Sequence, residues 1–314
     1  MDEPVVIAEA GMHFTPAAMD EPVVIAEAGM HYTPTDILWK FGSRMTPFEH
    51  DELTRYKRIY YFKIRQPSQS SFNDVHDFTS HHYNLVQDEH LAYRYQFLSV
   101  LGAGAYGQVI RCLDHKHKRE VAVKMLQHES YAKPYHSKRE VQMLKALQSK
   151  EKNNNYVIKL LNTFTFRGHF SLVLELLTGD LRQQLKLAPT AFTLPEAKVY
   201  VRSILKALQK LKNKKIIHGD LKPENILIKD QDTSDVRLAD FGLSFQECPN
   251  FFKRFGTEQY TAPEMYLKLP ITCSVDMWSL GCVAAELVTG HHLFKRKLEC
   301  HHLERVIEVC SRSF

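Results

Sequence analysis

IIHGDLKPENILI, from Ile216 to Ile228, decides how the rest of the chain is read. Two apolar, β-branched runs read as short strands, and between them lies a polar loop with His218, Asp220, Lys222 and Asn225 at fixed spacing. Each residue has a chemical use there. Asp220 offers a carboxylate that can accept a hydroxyl proton, and Lys222 an ammonium that can balance charge on a moving phosphoryl group. Asn225, with Asp240 downstream, offers hard oxygen ligands of the kind magnesium takes alongside substrate phosphates. Gly219 stands where a cation is expected.

Upstream, Leu101–Val109 reads LGAGAYGQV, so Leu101, Gly102, Ala103, Gly104, Ala105, Tyr106, Gly107, Gln108 and Val109 form a glycine-rich loop. Dinucleotide-binding folds use the same glycine spacing between a strand and a helix. Here the residues that follow, QVIRCL and then EVAVKML, are both strand-like, so the loop joins two antiparallel strands. Such a loop suits a flap whose backbone amides cover nucleotide phosphates. Lys124, in VAVK on the next strand, can bind the same phosphates, and Glu140, in the helix SKREVQMLKALQSK, is placed to pair with it. NTFTFRGHFSLVLELL reads as a hairpin turning at Arg167 to His169, and after Pro195 the helical period takes over. A strand-rich part thus precedes a helix-rich part.

The 314 residues are 44% apolar and 25% charged, with a formal charge of +5, which describes an ordinary soluble globular chain. The basic residues are spread out, giving no case for nucleic-acid binding. Apolar runs such as FSLVLELL are too short and too interrupted by charge to cross a membrane. The acidic start, MDEPVVIAEA, has no basic region of the kind that opens a signal peptide. Six scattered cysteines without a C-x-x-C pair suit reduced thiols, hence a cytoplasmic or nuclear protein. Cys300, His301, His302 and Cys310 fit no zinc-finger spacing. Residues 1–44 begin with a duplication, MDEPVVIAEAGMHFTP followed by MDEPVVIAEAGMHYTP, and are expected to be mostly unstructured. MTPFEHDELTRYKRIYYFKI, from Met45 to Ile64, predicts a short helix and then a β-rich aromatic run that docks on another part of the chain.

These elements, in this order, resemble a eukaryotic protein kinase: GAGAYGQV, VAVK, HGDLKPEN, DFG (Asp240–Gly242), APE (Ala262–Glu264) and DMWSLG (Asp276–Gly281). HLAYRYQFLSVLGAGAYGQV, CLDHK, FTFRGH and the upstream MTPFEHDELTRYKRIYYF narrow the resemblance to the dual-specificity tyrosine-phosphorylation-regulated kinases, class II branch. The resemblance implies an α+β bilobal fold, an antiparallel-sheet lobe over residues 95–178 and a helical lobe over 179–314, preceded by a homology box and linker over 45–94. It implies ATP and magnesium as cofactors and protein Ser/Thr, with Tyr in autophosphorylation, as substrate. Leu101, Val109, Ala122 and Leu227 would enclose adenine, with Leu174, Glu175 and Leu177 at the hinge. Lys124 and Glu140 would hold the α/β-phosphates, Asn225 and Asp240 the metal. Asp276 would brace the catalytic loop, and Lys222 would pair with Thr257.

The pattern also breaks. The usual Tyr-x-Tyr falls on Phe252, Lys253 and Arg254, and two arginines kept by relatives correspond to Glu258 and Thr261. An Arg254–Glu258 ion pair is one expectation for how the loop is held, although exposed pairs contribute only about 0–1 kcal/mol. The helical lobe reads as incomplete, leaving Glu264 without its usual arginine. A stabilising partner or chaperone is therefore expected, and a catalytically impaired scaffold is the alternative to an active kinase.

Overall fold

Thr33 and Thr46 open two short helices in the same way. Each hydroxyl accepts a hydrogen bond from the amide three residues on, and the Asp36 and Glu49 carboxylates accept one from the cap amides. With proline at the first position, these capping boxes start α1 (Pro34–Phe41) and α2 (Pro47–Thr54). The computed structural model describes all residues except 1–13, 18–20, 65–81, 105–106, 128–133, 149–155, 189, 231–232, 249–253, 295–298 and 312–314. The chain divides into two compact units, residues 1–134 with 161–176, and residues 135–160 with 177–314.

In the first unit, β1 (Phe14–Ala17), β2 (Glu21–Ile25) and β3 (Tyr61–Lys63) form a small antiparallel sheet in that order. Val24, Ala26, Tyr32 and Ile37 are buried against Leu53, Ile59, Phe62, Ile64 and Tyr93. The expectation that residues 1–44 lack structure is therefore corrected for Phe14–Ala17 and from Glu21 onward. The second copy of the repeat folds because a partner strand some forty residues downstream in the chain supplies its hydrogen bonds and its apolar cover, which no local pattern reveals.

The larger sheet contains β4 (His90–Leu91), β5 (Tyr95–Gly104), β6 (Gly107–Asp114), β7 (Arg119–Leu126), β8 (Leu160–Phe166) and β9 (His169–Glu175), ordered β4-β5-β6-β7-β9-β8. Its core is Tyr95, Phe97, Ile110, Cys112, Val121, Val123, Met125, Phe166 and Val173. The β8–β9 hairpin turns at Arg167 and Gly168, both at positive φ, as the right-handed strand twist favours. The segment from Met45 to Ile64 docks on this sheet at two turns. His115 stacks on Tyr61, with ring centres 4.4 Å apart, while Lys118 donates to the Ala26 carbonyl. Arg167 reaches Glu52 on α2. The CLDHK and FTFRGH motifs are thus the receptor points for the upstream box.

The second unit starts with α3 (Pro134–Leu147), nearly all of which lies in it, whereas the resemblance implies one lobe over residues 95–178. The backbone decides this, since Val157 bridges to Leu238 and Ile158 N donates to Leu238 O. Then follow β10 (Gly179–Asp180), α4 (Leu181–Leu187), α5 (Leu194–Asn213), β11 (Ile216–Ile217), β12 (Ile226–Asp230), β13 (Thr233–Leu238), β14 (Phe245–Gln246), α6 (Pro263–Tyr266), α7 (Ser274–Thr289) and α8 (Glu299–Ser311). Strands β10, β12 and β13 form one small sheet, β11 and β14 another. Helix α7 is the axis of the unit. It buries Val275, Asp276, Ser279, Leu280, Cys282, Val283, Glu286 and Leu287, and α5 packs beside it through a stripe ending in Ala207, Leu208 and Leu211. No helix among the described residues is long and apolar enough to cross a membrane.

Candidate active site

Helix α7 sets the polar loop that follows β11. Asp276, 2% exposed, accepts hydrogen bonds from His218 N (2.8 Å) and Gly219 N (2.9 Å), one on each carboxylate oxygen. Burial pushes this carboxyl above the usual carboxylate range, opposed by His218 and the two amides. His218 is fully buried; its Nδ1 accepts from Asp220 N (3.3 Å), so Nε2 carries the proton and donates to Ala239 O (2.9 Å). Its ring leans on Phe241, with centres 4.8 Å apart, and its carbonyl accepts from Ser244 Oγ (2.9 Å). The loop is thereby tied to α7 and to the DFG segment at once.

On this base stands the reactive cluster. Thr257 donates to Asp220 Oδ1 (2.7 Å) and accepts from Lys222 Nζ (2.9 Å), while Lys222 Nζ also lies 2.8 Å from Asp220 Oδ2. Asn225, on the 3-10 turn Pro223–Asn225, donates through Nδ2 to Asp220 O (2.8 Å) and Oδ2 (3.2 Å). The Asp220 carboxylate is thus oriented by three side chains, and the carbonyl oxygen is the ligand Asn225 has left to offer. Asp240 sits at φ +58°, a left-handed conformation that costs a residue other than glycine about 1–2 kcal/mol, and its Oδ1 accepts from Gly242 N at 3.4 Å. The structure brings Asp220, Lys222 and Asn225 together with Thr257, the residue that the resemblance paired with Lys222.

In the first unit, the pairings Val109 with Lys124 and Ala122 with Leu174 put these four residues on one face of the sheet. Gly102, Ala103 and Gly104 pair with Val109, Gln108 and Gly107 across the loop, and Leu101 lies at a bulge of β5. Ala105 and Tyr106 lie outside the described residues. Gln108 is buried, with Nε2 donating to Tyr83 O (2.8 Å), so its side chain supports the loop base and only its backbone is left for a ligand. Glu175 ends β9. Glu140, 3% exposed, Leu177 and Leu227 belong to the second unit, Leu227 pairing with Asp180 and Arg237.

In the activation segment, Phe252 and Lys253 lie outside the described residues. Arg254, expected beside Glu258, has its guanidinium carbon 4.6 Å above the Tyr266 ring. Glu264, expected to lack its arginine, accepts from Ser274 Oγ at 3.5 Å and is only partly buried. One network went unread in the sequence: Arg182 on α4 donates to Glu286 (2.6 Å), Glu224 (2.9 Å) and Tyr260 Oη (2.8 Å), and His292 Nδ1 lies 2.9 Å from Glu286. Burial alone would lower the Arg182 guanidinium, but Glu286 and Glu224 raise it above its ordinary range. Its members span residues 182–292, and no local spacing links them.

The description "Protein kinase domain" matches residues 95–313, and the chain belongs to that family. Three similar proteins share one description. Dual specificity tyrosine-phosphorylation-regulated kinase 4 of Homo sapiens is 36% identical over 86% of this chain and 53% of its own length. Kinase mbk-2 of Caenorhabditis elegans, of the same description, is 34% identical over 87% of this chain and 34% of its own, and kinase 3 of Mus musculus 36% identical over 86% and 47%. The chain thus spans about one third to one half of these curated relatives.

Proposed function

We propose that the chain is the catalytic region of an ATP- and magnesium-dependent protein kinase, transferring the γ-phosphoryl group to Ser and Thr hydroxyls of proteins, and to Tyr in autophosphorylation. The observation that carries this reading is the Asp220–Lys222–Asn225–Thr257 cluster. Asp220 Oδ2 is engaged by Asn225 and Lys222 and, among the described residues, Oδ1 by Thr257 alone, so Oδ1 keeps the lone pair that receives the hydroxyl proton. Lys222, already 2.8 Å from that carboxylate, balances charge as the phosphoryl group moves.

The residues fit magnesium. Asn225 and Asp240 supply two oxygen donors, and among the described residues no cluster of three or more His, Cys, Asp or Glu forms a protein cage. Asn225 and Asp240 would hold such a metal, with water and phosphate oxygens completing its ligands. When bound, it neutralises the phosphate oxygens during transfer. Val109, Ala122 and Leu174 are read as adenine contacts, and Lys124 as a phosphate contact. Scattered thiols support a cytoplasmic or nuclear location.

The test is a thermal shift with ATP and magnesium, followed by autophosphorylation of wild type against Asp220→Asn. The reading expects stabilisation of both proteins and incorporation of phosphate only by wild type, with a loss of about 10² to 10⁴ in rate for the variant. Binding with equal, negligible turnover in both would return a non-catalytic scaffold.

A further inference from the structure

Gly219 and Phe255 fit each other as a hollow and a plug. Gly219 lies at φ +80°, and a Cβ there would stand 2.6 Å from Phe255 Cε2 and 3.1 Å from Cδ2. The ring occupies the space that a larger residue at 219 would need. One residue further, Gly256 lies at φ +85° and makes room for the Gly219 carbonyl oxygen, which a Cβ at 256 would meet at 2.5 Å. Catalytic loop and activation segment therefore touch backbone to backbone. Phe245 holds the other side of the plug edge-on, with centres 5.0 Å apart at 90°, and Phe255 packs on the cluster of Ile217, Ala262, Met265, Ile271 and Val275. Two residues after the ring comes Thr257, whose hydroxyl donates to Asp220 Oδ1 at 2.7 Å.

We infer that Phe255 is a positioning residue: seated against Gly219, its ring sets Gly256 and Thr257 against Asp220 and holds the activation segment without a phosphate. The catalytic consequence rests on the kinase reading; the packing rests on geometry alone. A cation at 219 and the ring of Phe255 compete for one volume, so the hold is apolar where a charged grip on a phosphorylated loop would otherwise stand. Apolar packing is neither screened by salt nor dependent on a modifying enzyme. It is present as soon as the chain folds.

The experiment uses the full chain with Phe255→Ala, Phe255→Leu, Gly219→Ala and Gly219→Ala/Phe255→Leu, reading kcat, KM for MgATP and amide hydrogen exchange over residues 254–261. Expected is a fall of about tenfold or more in kcat for Phe255→Ala with KM for MgATP unchanged within about twofold, and recovery of most of the rate in Phe255→Leu. Exchange over 254–261 rises in Phe255→Ala while the amides of α7 keep their protection. Gly219→Ala loses rate, and adding Phe255→Leu restores part of it, a comparison that holds even where Phe255→Ala does not fold. Phosphatase treatment leaves wild-type kcat unchanged. Wild-type exchange in Phe255→Ala, an unaltered kcat there, or loss of activity on phosphatase treatment overturns the inference. Absence of Asp220-dependent turnover in wild type fails the kinase reading separately, and the exchange comparison then decides the packing by itself.

Discussion

Arg167, in the β8–β9 turn, forks onto Glu52 of α2, with Nε 2.9 Å from Oε1 and Nη2 2.8 Å from Oε2. Both side chains are almost wholly buried, at 7% and 9% exposure. Glu89 adds a second carboxylate at 3.4 Å, and the guanidinium carbon lies 4.7 Å over the Phe166 ring and 5.5 Å over Phe48. Burial alone would lower the guanidinium pKa, but Glu52 and the surrounding tyrosines raise it well above its ordinary value. The pair pins the upstream helix to the sheet.

Arg167→Ala therefore leaves Glu52 buried without its cation, with only the Tyr93 hydroxyl still donating to it, and should cost about 3–5 kcal/mol, read as a lowered melting temperature. Arg167→Lys should recover little, because a point charge cannot replace the two-pronged contact. Equal melting of wild type and Arg167→Ala would refute the docking role.

His115 makes the stability of the same unit depend on pH. Burial, with Lys118 adding to it and Asp114 opposing, pushes the imidazole from 6.5 down to about 4. Its Nδ1 has no hydrogen-bond partner, while Nε2 donates to Gln96 Oε1 at 2.9 Å. Between pH 6.5 and 4 the unfolded chain binds a proton that the folded chain refuses, so stability falls as pH falls through that window and the loss is complete below it. A shift of this size corresponds to about 3 kcal/mol at most. Denaturant titrations from pH 7 to 4 should show this slope in wild type and a flatter one in His115→Phe; identical slopes would exclude His115 as the source.

Asp276→Asn keeps the shape of the brace but can accept from only one of the two amides, His218 N or Gly219 N, and turns an N–H donor toward the other. The buried amide left over should cost about 1–3 kcal/mol and loosen the loop, lowering both melting temperature and kcat. Unchanged kcat in a stable Asp276→Asn protein would show that the loop holds itself.

Thr257→Val removes the hydroxyl that donates to Asp220 Oδ1 and accepts from Lys222 Nζ. Hydrogen bonds to charged groups are worth about 1.5–3 kcal/mol, so kcat should fall by about ten- to hundredfold. Thr257→Ser, which keeps the oxygen, should retain most of the rate, and steady-state kinetics of the two variants checks both statements.

What the sequence determined by itself was local. The Thr-Pro-x-Glu start at Thr46 states its own helix, because cap and carboxylate are three residues apart and close without help from the rest of the chain. The same is true of the hairpin at Arg167 and Gly168. Asp220, Lys222 and Asn225 lie within six residues of one another, so their cluster was legible before any fold was known. Tertiary structure decided what depends on distant partners. The second copy of the N-terminal repeat orders only because β3 and Tyr93 cover it. Asp276 reaches the loop amides from 58 residues away in sequence. Gly219, an apparent loss when read alone, is the seat of the Phe255 ring, a steric fit that exists only once the two segments have been brought into contact.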